Sequence, residues 1–304
     1  MKKKALYLTM SLLNISSRIS IDKGWSGDCK YRIVDDDGRS YLLRISPAEK
    51  AGAVEELFKL MQQIAGLGIP MCRPVEYGTG PEGSYSIYTW IDGKDAEEVI
   101  PALAEGDQYF YGFQAGKILK LIHSIPAPDN QEDWESRFNR KIDRKIELYA
   151  DSPLKYDNGQ YFLDYIAANR YLLKGRPQTF QHGDYHIGNM MVDTKNQFQI
   201  IDFDRYDFGD PWEEFNRIVW SARISGYFAS GIIDGYFDQK PPMEFWKLLA
   251  LYISINTLSS IPWAIPFGTE QIEVMEKLAA EVLAYYDNMN RPVPSWYCGS
   301  LFTI

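Results

Sequence analysis

The stretch that decides the fold runs from Gln181 to Pro211 and reads QHGDYHIGNMMVDTKNQFQIIDFDRYDFGDP. It opens with an HGD triplet at residues 182–184, and an amide, Asn189, follows five positions after the aspartate. A second acidic cluster, DFD, occupies residues 202–204. The polar residues therefore stand at both ends of a patterned segment, and the pattern between them predicts how they are brought together.

The intervening residues predict a two-stranded hairpin. Residues 190–192 are an apolar run, residues 193–196 are a turn cluster, and residues 198–203 are a second run rich in strand-forming Phe and Ile. Because a hairpin brings its two ends together, we expect Asn189 and Asp202 to return to the same place. Amide and carboxylate oxygens are hard ligands for Mg²⁺, which needs few protein ligands when phosphates and water supply the rest. A further carboxylate could accept the proton of a substrate hydroxyl, so these are the parts needed for phosphoryl transfer.

The order HGDxxxxN followed by IDFD resembles the aminoglycoside phosphotransferase family of small-molecule kinases, which shares the protein-kinase fold. The resemblance implies that Asp184 is the catalytic base, that Asn189 and Asp202 hold Mg²⁺, and that His182 supports the loop. His186 lies inside the motif at a variable position, and we expect it to pack or to face solvent. The tight match is confined to residues 181–211.

The family resemblance also implies a fold and a reaction. The fold is α+β and protein-kinase-like, with a small N-terminal antiparallel-sheet lobe over residues 1–91 that binds nucleotide. A larger, mainly helical lobe over residues 92–304 carries catalysis and the substrate. The implied cofactors are ATP or GTP together with Mg²⁺, and the γ-phosphoryl group passes to a hydroxyl of a small molecule.

In the N-terminal lobe, residues 24–27 (Gly-Trp-Ser-Gly) form a turn in which Ser26 could donate a hydrogen bond to a phosphate, although a plain hairpin turn explains the same residues. At the other end of this lobe, residues 89–91 (Thr-Trp-Ile) are the expected hinge. Backbone groups of Thr89 and Ile91 are expected to meet adenine there, because the edge of the base needs a donor and an acceptor.

Arg44 stands on a predicted strand where the family pattern places a lysine for the α- and β-phosphates. Arginine is also cationic and binds phosphate bidentately, so we expect it to take that role; a surface arginine is the alternative. A glutamate of the helix predicted over residues 48–67 is expected to pair with it. Glu56 is the preferred partner and Glu55 the alternative, and Glu49 also fits.

Composition describes an ordinary soluble globular chain of 304 residues, with 45% hydrophobic and 24% charged residues. The formal net charge of −9 makes nucleic acid a poor partner and would suit a polycationic substrate. The three scattered cysteines and three histidines predict no zinc site, and reduced thiols predict a cytoplasmic protein.

Two apolar segments do not predict membrane association. The start, MKKKALYLTMSLL, resembles a secretory signal, but Thr9 and Ser11 interrupt its apolar core. Residues 248–267 contain an asparagine and two prolines, which favour a buried helix and a loop. The charged segment from Gln131 to Lys145 predicts a solvated helix.

The acceptor is left open by the sequence. Acids at residues 210–214 (Asp-Pro-Trp-Glu-Glu) serve only the helix that they open, or they face a cationic substrate. Three functions compete: an antibiotic-resistance kinase for an aminoglycoside-type substrate, a housekeeping metabolite kinase of the choline, homoserine or sugar type, and a catalytically silent nucleotide-binding protein.

Overall fold

The computed structural model describes residues 14–22, 27–237 and 240–299. The chain divides into two compact units. The smaller unit holds the chain up to Lys94 together with Met191–Ile201, and the larger unit holds Asp95–Met190 together with the chain from Asp202 onward. The basic N-terminal segment and Ser26 lie outside the described residues.

The described strands are β1 (Ile15–Ile21), β2 (Cys29–Asp35), β3 (Ser40–Ser46), β4 (Pro74–Gly80), β5 (Gly83–Thr89), β6 (Gly93–Asp95), β7 (Thr179–Gln181), β8 (Met190–Asp193), β9 (Phe198–Ile200) and β10 (Asp207–Gly209). The described α-helices are α1 (Ala51–Gly66), α2 (Ala96–Val99), α3 (Glu105–Ile122), α4 (Trp134–Asp151), α5 (Gly159–Asn169), α6 (Ile218–Ile224), α7 (Gly226–Tyr236), α8 (Met243–Ala264) and α9 (Thr269–Tyr285).

The smaller unit is built on an antiparallel sheet of five strands in the order β1-β2-β3-β5-β4. Its core consists of buried side chains of the three central strands, namely Ile33, Leu43, Ile45, Tyr85 and Ile87. Helix α1 packs against β4 and β5 through a buried face that carries Phe58, Met61 and Ile64. The predicted helix and central strands are therefore present, because their apolar spacing matches the periods of a helix and a half-buried strand.

The predicted hairpin after the HGD triplet is formed by β8 and β9, which are neighbours in a sheet of order β6-β8-β9. Its turn is fixed by Asp193, whose Oδ1 accepts hydrogen bonds from the backbone N–H groups of Lys195 and Gln197 at 2.8 Å each. Asn196 completes the turn at φ 58°. An asparagine tolerates this left-handed backbone better than most residues, which explains why a short polar cluster turns the chain here.

In the larger unit, α3 and α7 approach so closely that only glycine fits at four positions. A Cβ added to Gly112 or Gly116 would collide with the backbone of α7, and one added to Gly231 or Gly235 would collide with the backbone of α3. The two glycines of each helix are four residues apart and therefore lie on one face. The helices pack backbone to backbone along this seam.

Helix α8 lies in the core of the larger unit. One helical segment of the described chain, Met243–Phe267, is long and apolar enough to cross a membrane, but 67% of its most apolar window is buried. It packs against α4, α5 and α9. Burial of this kind is typical of a core helix. The fold class is α+β and kinase-like, with an antiparallel N-terminal sheet and a mainly helical C-terminal part.

Candidate active site

The HGD loop is held in shape from inside. The His182 ring is fully buried and lies 4.4 Å, centroid to centroid, from the ring of Phe203. Its Nδ1 accepts a hydrogen bond from the backbone N–H of Asp184 at 3.2 Å. Gly183 has φ 83°, and a Cβ there would overlap the carbonyl of Arg205. The supporting role expected of His182 is therefore visible as packing and one backbone hydrogen bond.

A buried carboxylate fixes the same loop from the other side. Glu214 accepts the backbone N–H of Gly183 at 3.0 Å, and the Nε2 atom of His123 lies 3.8 Å from its Oε2. His123 in turn contacts the hydroxyl of Tyr236 at 3.0 Å through Nδ1. Glu214 thus positions the loop that carries Asp184.

The other two acids of residues 210–214 are also used internally. Asp210 is fully buried and receives two hydrogen bonds from Arg176, at 2.7 and 3.0 Å, and one from the hydroxyl of Tyr252 at 2.6 Å. Glu213 accepts from Lys141 at 3.3 Å and from Gln181 at 3.2 Å. Of the two sequence interpretations, the structure therefore favours a structural role for these acids over a cationic-substrate site.

Asp184 is surrounded by cationic and hydrogen-bonding side chains. Arg217 Nε lies 2.7 Å from its Oδ1, and Arg205 Nε lies 3.7 Å from its Oδ2. Burial alone would raise the pKa of Asp184, but the hydrogen bond from His186 and the charges of Arg217 and Arg205 outweigh it and hold the pKa well below its usual range. The carboxylate is therefore ionised at every physiological pH.

His186 contacts the candidate base, contrary to the packing or solvent-facing role expected from the sequence. Its Nδ1 accepts the backbone N–H of Gly188 at 3.1 Å, so a neutral ring carries its proton on Nε2. That Nε2 lies 3.5 Å from Asp184 Oδ1. The hydrogen bond at Nδ1 thus selects the tautomer that points an N–H toward the carboxylate.

Asn189 directly precedes β8, and Asp202 follows β9 by two residues. The side-chain Nδ2 of Asn189 donates to the backbone carbonyl of Asp184 at 2.9 Å, which commits the amide nitrogen and leaves the amide oxygen as a ligand. Asp202 adopts φ 66°, an uncommon backbone for a non-glycine residue, and its side chain is half-buried. This donor set of one amide and one carboxylate oxygen fits Mg²⁺ bound mainly by phosphates and water. Within the described ranges no group of three or more His, Cys, Asp or Glu side chains could hold a metal ion.

In the smaller unit, Arg44 is paired with Asp28. Arg44 Nη2 lies 2.9 Å from Asp28 Oδ2, and the hydroxyl of Ser46 donates to Asp28 Oδ1 at 2.8 Å. The Arg44 side chain is only 11% exposed, which contradicts the alternative of a surface arginine.

The partner that the structure shows for Arg44 is Asp28, and the pairing of Arg44 with a glutamate of residues 48–67 stays a prediction. Glu56 is exposed and has no hydrogen-bond or ion-pair partner among the residues described. The alternative, Glu55, is bound to Lys59 at 2.7 Å and to the hydroxyl of Tyr77 at 3.0 Å. The position beside Arg44 is taken by Asp28, the residue that precedes β2. A contribution of Glu56 to nucleotide binding stays a prediction.

The expected hinge keeps free backbone groups at Ile91. The N–H of Thr89 donates to the Arg73 carbonyl at 2.9 Å and that of Trp90 to the Ser40 carbonyl at 3.3 Å. For Ile91, neither the N–H nor the carbonyl makes a backbone hydrogen bond to any described residue. Thr89 and Ile91 also line a cavity of about 200 Å³ in the smaller unit, together with Asp193, Thr194 and Lys195.

Residues that sequence reasoning missed are Asp28, Arg217 and Lys145. Arg217 lies in the helix that the sequence predicts after residues 210–214, and Lys145 lies at the end of the segment predicted to be a solvated helix. Helical spacing was an available signal for Lys145 alone, which follows Lys141 by four residues on α4 and so lies on the same helical face. Residues Glu213–Arg217 form a 3-10 helix, in which residues four apart do not share a face.

The model of the phosphotransferase enzyme family matches residues 18–246. The chain belongs to the phosphotransferase enzyme family. This phosphotransferase has no significant match among curated protein sequences. Its structure is similar to the GDP complex of wild-type aminoglycoside 2′-phosphotransferase-IIIa, with a TM-score of 0.65 at 14% identity over 90% of this chain and 94% of the other.

A second solved structure gives the same result. The crystal structure of aminoglycoside phosphotransferase APH(4)-Ia has a TM-score of 0.62 at 15% identity, over 89% of this chain and 94% of the other. A thermostable mutant of that enzyme is known in a ternary complex with ADP and hygromycin B, with a TM-score of 0.61 at 14% identity over 88% and 94% of the two chains. At such identities the likeness establishes the fold of this phosphotransferase and leaves its acceptor open.

Proposed function

We propose that this phosphotransferase moves the γ-phosphoryl group of ATP or GTP to a hydroxyl of a small molecule, with Mg²⁺ as cofactor. The observation that carries the proposal is the hydrogen bond from the Asn189 side chain to the backbone of Asp184 at 2.9 Å. It ties the candidate base and a candidate magnesium ligand to one rigid loop. Phosphoryl transfer depends mainly on such positioning and on electrostatics.

Asp184 orients the acceptor hydroxyl and receives its proton in this proposal. A carboxylate with a strongly lowered pKa is a weak base, so its main contribution is to align the hydroxyl oxygen with the phosphorus atom. That is sufficient for a loose transition state, in which little negative charge has to be generated on the attacking oxygen. His186 and Arg217 hold the carboxylate in place while it does so.

Asn189 and Asp202 are the residues that would hold Mg²⁺, which neutralises charge on the nucleotide phosphates when bound. Arg44 would bind a phosphate through its guanidinium fork, oriented by Asp28. The free N–H and carbonyl of Ile91 offer the donor and acceptor that a purine edge needs. A phosphate contact of Ser26, which lies outside the described residues, stays a prediction.

A metabolite is favoured over an aminoglycoside-type antibiotic as the acceptor. The acids of residues 210–214 that could have met a polycation are engaged by Arg176, Lys141 and the loop backbone. An aminoglycoside acceptor is supported by the family resemblance alone, and aminoglycosides are therefore included among the substrates to be tested.

The test is a transfer assay with γ-labelled ATP and GTP, Mg²⁺, and a panel of amino alcohols, sugars, hydroxy acids and aminoglycosides. Labelled product or magnesium-dependent nucleotide hydrolysis is expected with the wild type and is expected to be lost in Asp184→Asn. Magnesium-nucleotide binding without any such turnover would instead identify a silent nucleotide-binding protein.

A further inference from the structure

Helix α6 places a buried hydroxyl against the loop that carries the candidate base. Ser221 lies on α6 and is fully buried. Its Oγ atom accepts the backbone N–H of Ile187 at 3.0 Å, from a residue 34 positions earlier in the chain and in the same larger unit. Ile187 is also fully buried, so the hydroxyl gives its N–H group the partner that water cannot provide.

The hydroxyl of Ser221 is not needed by the helix itself. Alanine forms helices more favourably than serine and buries no polar group. Ser254, a fully buried serine of α8, has the ordinary arrangement, in which the hydroxyl donates to the carbonyl of Ala250 one turn earlier in the same helix. The oxygen of Ser221 instead accepts from a different segment. Its contribution is therefore to the loop.

The N–H group that Ser221 binds belongs to a turn that orients His186. Residues Ile187–Asn189 form a 3-10 helix with His186 at its N-terminal cap. The Gly188 N–H donates to His186 Nδ1 at 3.1 Å, and the Asn189 N–H donates to the His186 carbonyl at 2.9 Å. With Ser221 on the first N–H, all three N–H groups of the turn have a partner, and the His186 ring is fixed within it.

The fixed ring faces the candidate base. His186 Nε2 lies 3.5 Å from Oδ1 of Asp184, and because Nδ1 is an acceptor, a neutral ring carries its proton on Nε2. Arg217, at the N-terminal cap of α6, lies 2.7 Å from the same oxygen. Helix α6 thus reaches Oδ1 directly through Arg217 and indirectly through Ser221 and the turn.

We propose that Ser221 is a positioning residue for phosphoryl transfer, whose hydroxyl fixes the turn that directs the His186 N–H toward Asp184. The inference rests on the proposed phosphotransferase function and adds a residue to the same site. Without the hydroxyl, the Ile187 N–H would be buried without a partner, and the turn would shift to find one. The His186 N–H would then lose its fixed direction, and Asp184 would align the acceptor hydroxyl less well.

The first test reads the His186 ring directly by nuclear magnetic resonance of the isotope-labelled full chain. The sequence has three histidines, so the ring-nitrogen signals are few, and His186→Phe identifies those of residue 186. At a pH where the ring is neutral, the wild type is expected to show the form protonated on Nε2. Ser221→Ala is expected to move the His186 signals toward a mixture of the two neutral forms and to leave those of His123 in place.

The second test is kinetic and uses the transfer assay of the proposed function. Ser221→Ala is expected to lower kcat about tenfold, as when a buried donor is left unpaired, and to leave KM for magnesium-nucleotide unchanged. Ser254→Ala also removes a fully buried serine hydroxyl from a helix and is expected to keep the wild-type kcat. In the His186→Phe background, Ser221→Ala is expected to change kcat by less than about twofold, since the ring through which Ser221 acts is absent.

Unchanged His186 signals in Ser221→Ala, or a wild-type kcat in that variant, would overturn the inference. A loss of kcat that stays as large in the His186→Phe background would also overturn it, because Ser221 would then act on the loop as a whole. Should Ser221→Ala fail to fold, Ser221→Cys retains a weak acceptor and is expected to show both effects to a smaller extent. A wild type that binds magnesium-nucleotide without turnover overturns the proposed function and the positioning role together, whereas an active wild type with a normal Ser221→Ala variant overturns the inference alone.

Discussion

Asp184 shows how neighbouring residues set the character of a single carboxylate. Burial works to protonate it, and the hydrogen bond from His186 with the charges of Arg217 and Arg205 works to ionise it. The hydrogen bond and the two charges outweigh burial, so the pKa of Asp184 is lowered. A group whose pKa is lowered in the folded chain adds stability above its unfolded pKa and loses that contribution as the pH falls through the folded value. Asp184 therefore stabilises the folded chain throughout the neutral range and loses this effect only in strong acid.

Replacement of the base tests its role most directly. Asp184→Asn is expected to lower kcat by about a hundredfold or more and to leave nucleotide affinity nearly unchanged, because only a proton-accepting and orienting group is lost. Steady-state kinetics and nucleotide titration measure the two effects. Asp157→Asn, at an exposed position, is the charge-matched control. Full turnover by Asp184→Asn would remove this residue from the mechanism.

Arg44 is the point at which the chain departs from the family pattern of a lysine. Arg44→Ala is expected to weaken magnesium-nucleotide binding about tenfold to a hundredfold, since a charge-assisted contact contributes about 1.5–3 kcal/mol. Arg44→Lys is expected to lose less magnesium-nucleotide affinity than Arg44→Ala, because lysine keeps the charge but lacks the bidentate fork of arginine. Titration of each variant with magnesium-nucleotide measures these affinities. The Glu56→Gln variant is the control: its side chain is exposed, and a loss as large as that of Arg44→Ala would restore the glutamate to the nucleotide site.

Lys145 is expected to react as an unusually acidic lysine. With a pKa of about 7, its neutral amine is already abundant at pH 8, whereas an ordinary lysine stays protonated. Competitive acetylation across pH 6–10, read by mass spectrometry, should show a midpoint near neutrality for Lys145. The exposed Lys174 should show an ordinary midpoint two or more pH units higher. Equal midpoints for the two lysines would show that burial and the charge of Lys141 do not lower the pKa of Lys145.

At the scale of elements, the seam between α3 and α7 depends on glycine. The added methyl of Gly112→Ala would overlap the carbonyl of Phe228, and helix backbones cannot separate without opening the core. We expect Gly112→Ala to lower the free energy of unfolding by about 1–3 kcal/mol, despite the better helix propensity of alanine. Urea unfolding measures this.

Gly66 provides the matched substitution. It is exposed at the end of α1, and a Cβ there meets nothing within 4 Å. Gly66→Ala should leave the free energy of unfolding unchanged or raise it by less than about 1 kcal/mol, because alanine restricts the unfolded chain. If both alanines behaved alike, close packing at the seam would not explain the glycines of α3.

Elements whose signals are local in sequence could be predicted. The hairpin β8–β9 follows from apolar runs on either side of one polar turn, and α1 follows from its apolar period. The environment of Asp184 could not be predicted, because Arg217 reaches it from a position 33 residues later in the chain. His186 was misjudged for another reason: its role depends on which ring nitrogen the backbone of Gly188 engages.

At the scale of the whole molecule, ligand binding should be visible as stability. A ligand that binds only the folded chain stabilises it by about 2.7 kcal/mol at a hundredfold excess over Kd. Magnesium-nucleotide is therefore expected to raise the thermal midpoint by a few degrees, and EDTA should abolish the shift. Asp202→Ala should behave like the wild type with EDTA. A wild-type shift in this variant would show that Asp202 is not a magnesium ligand.

The kinase-like organisation was predictable for the molecule as a whole, while the make-up of its parts was not. The predicted lobes split the chain once, after Ile91, since sequence reasoning assigns contiguous segments to domains. The smaller compact unit also contains Met191–Ile201, which lies far along the chain from the rest of that unit. Nothing in the composition of that hairpin distinguishes it from the stretch around it.

The late position of Met191–Ile201 in the chain has a consequence for the order of synthesis. The smaller unit cannot be finished until Ile201 has left the ribosome, although its sheet is encoded before Lys94. By then nearly a hundred residues of the larger unit have already emerged. Nascent chains stalled before residue 191 should therefore leave the N-terminal sheet sensitive to protease, and chains stalled well beyond residue 201 should protect it. An excised fragment ending at Lys94 would carry the same defect permanently, which makes the gene a poor candidate for dissection into two independently expressed halves.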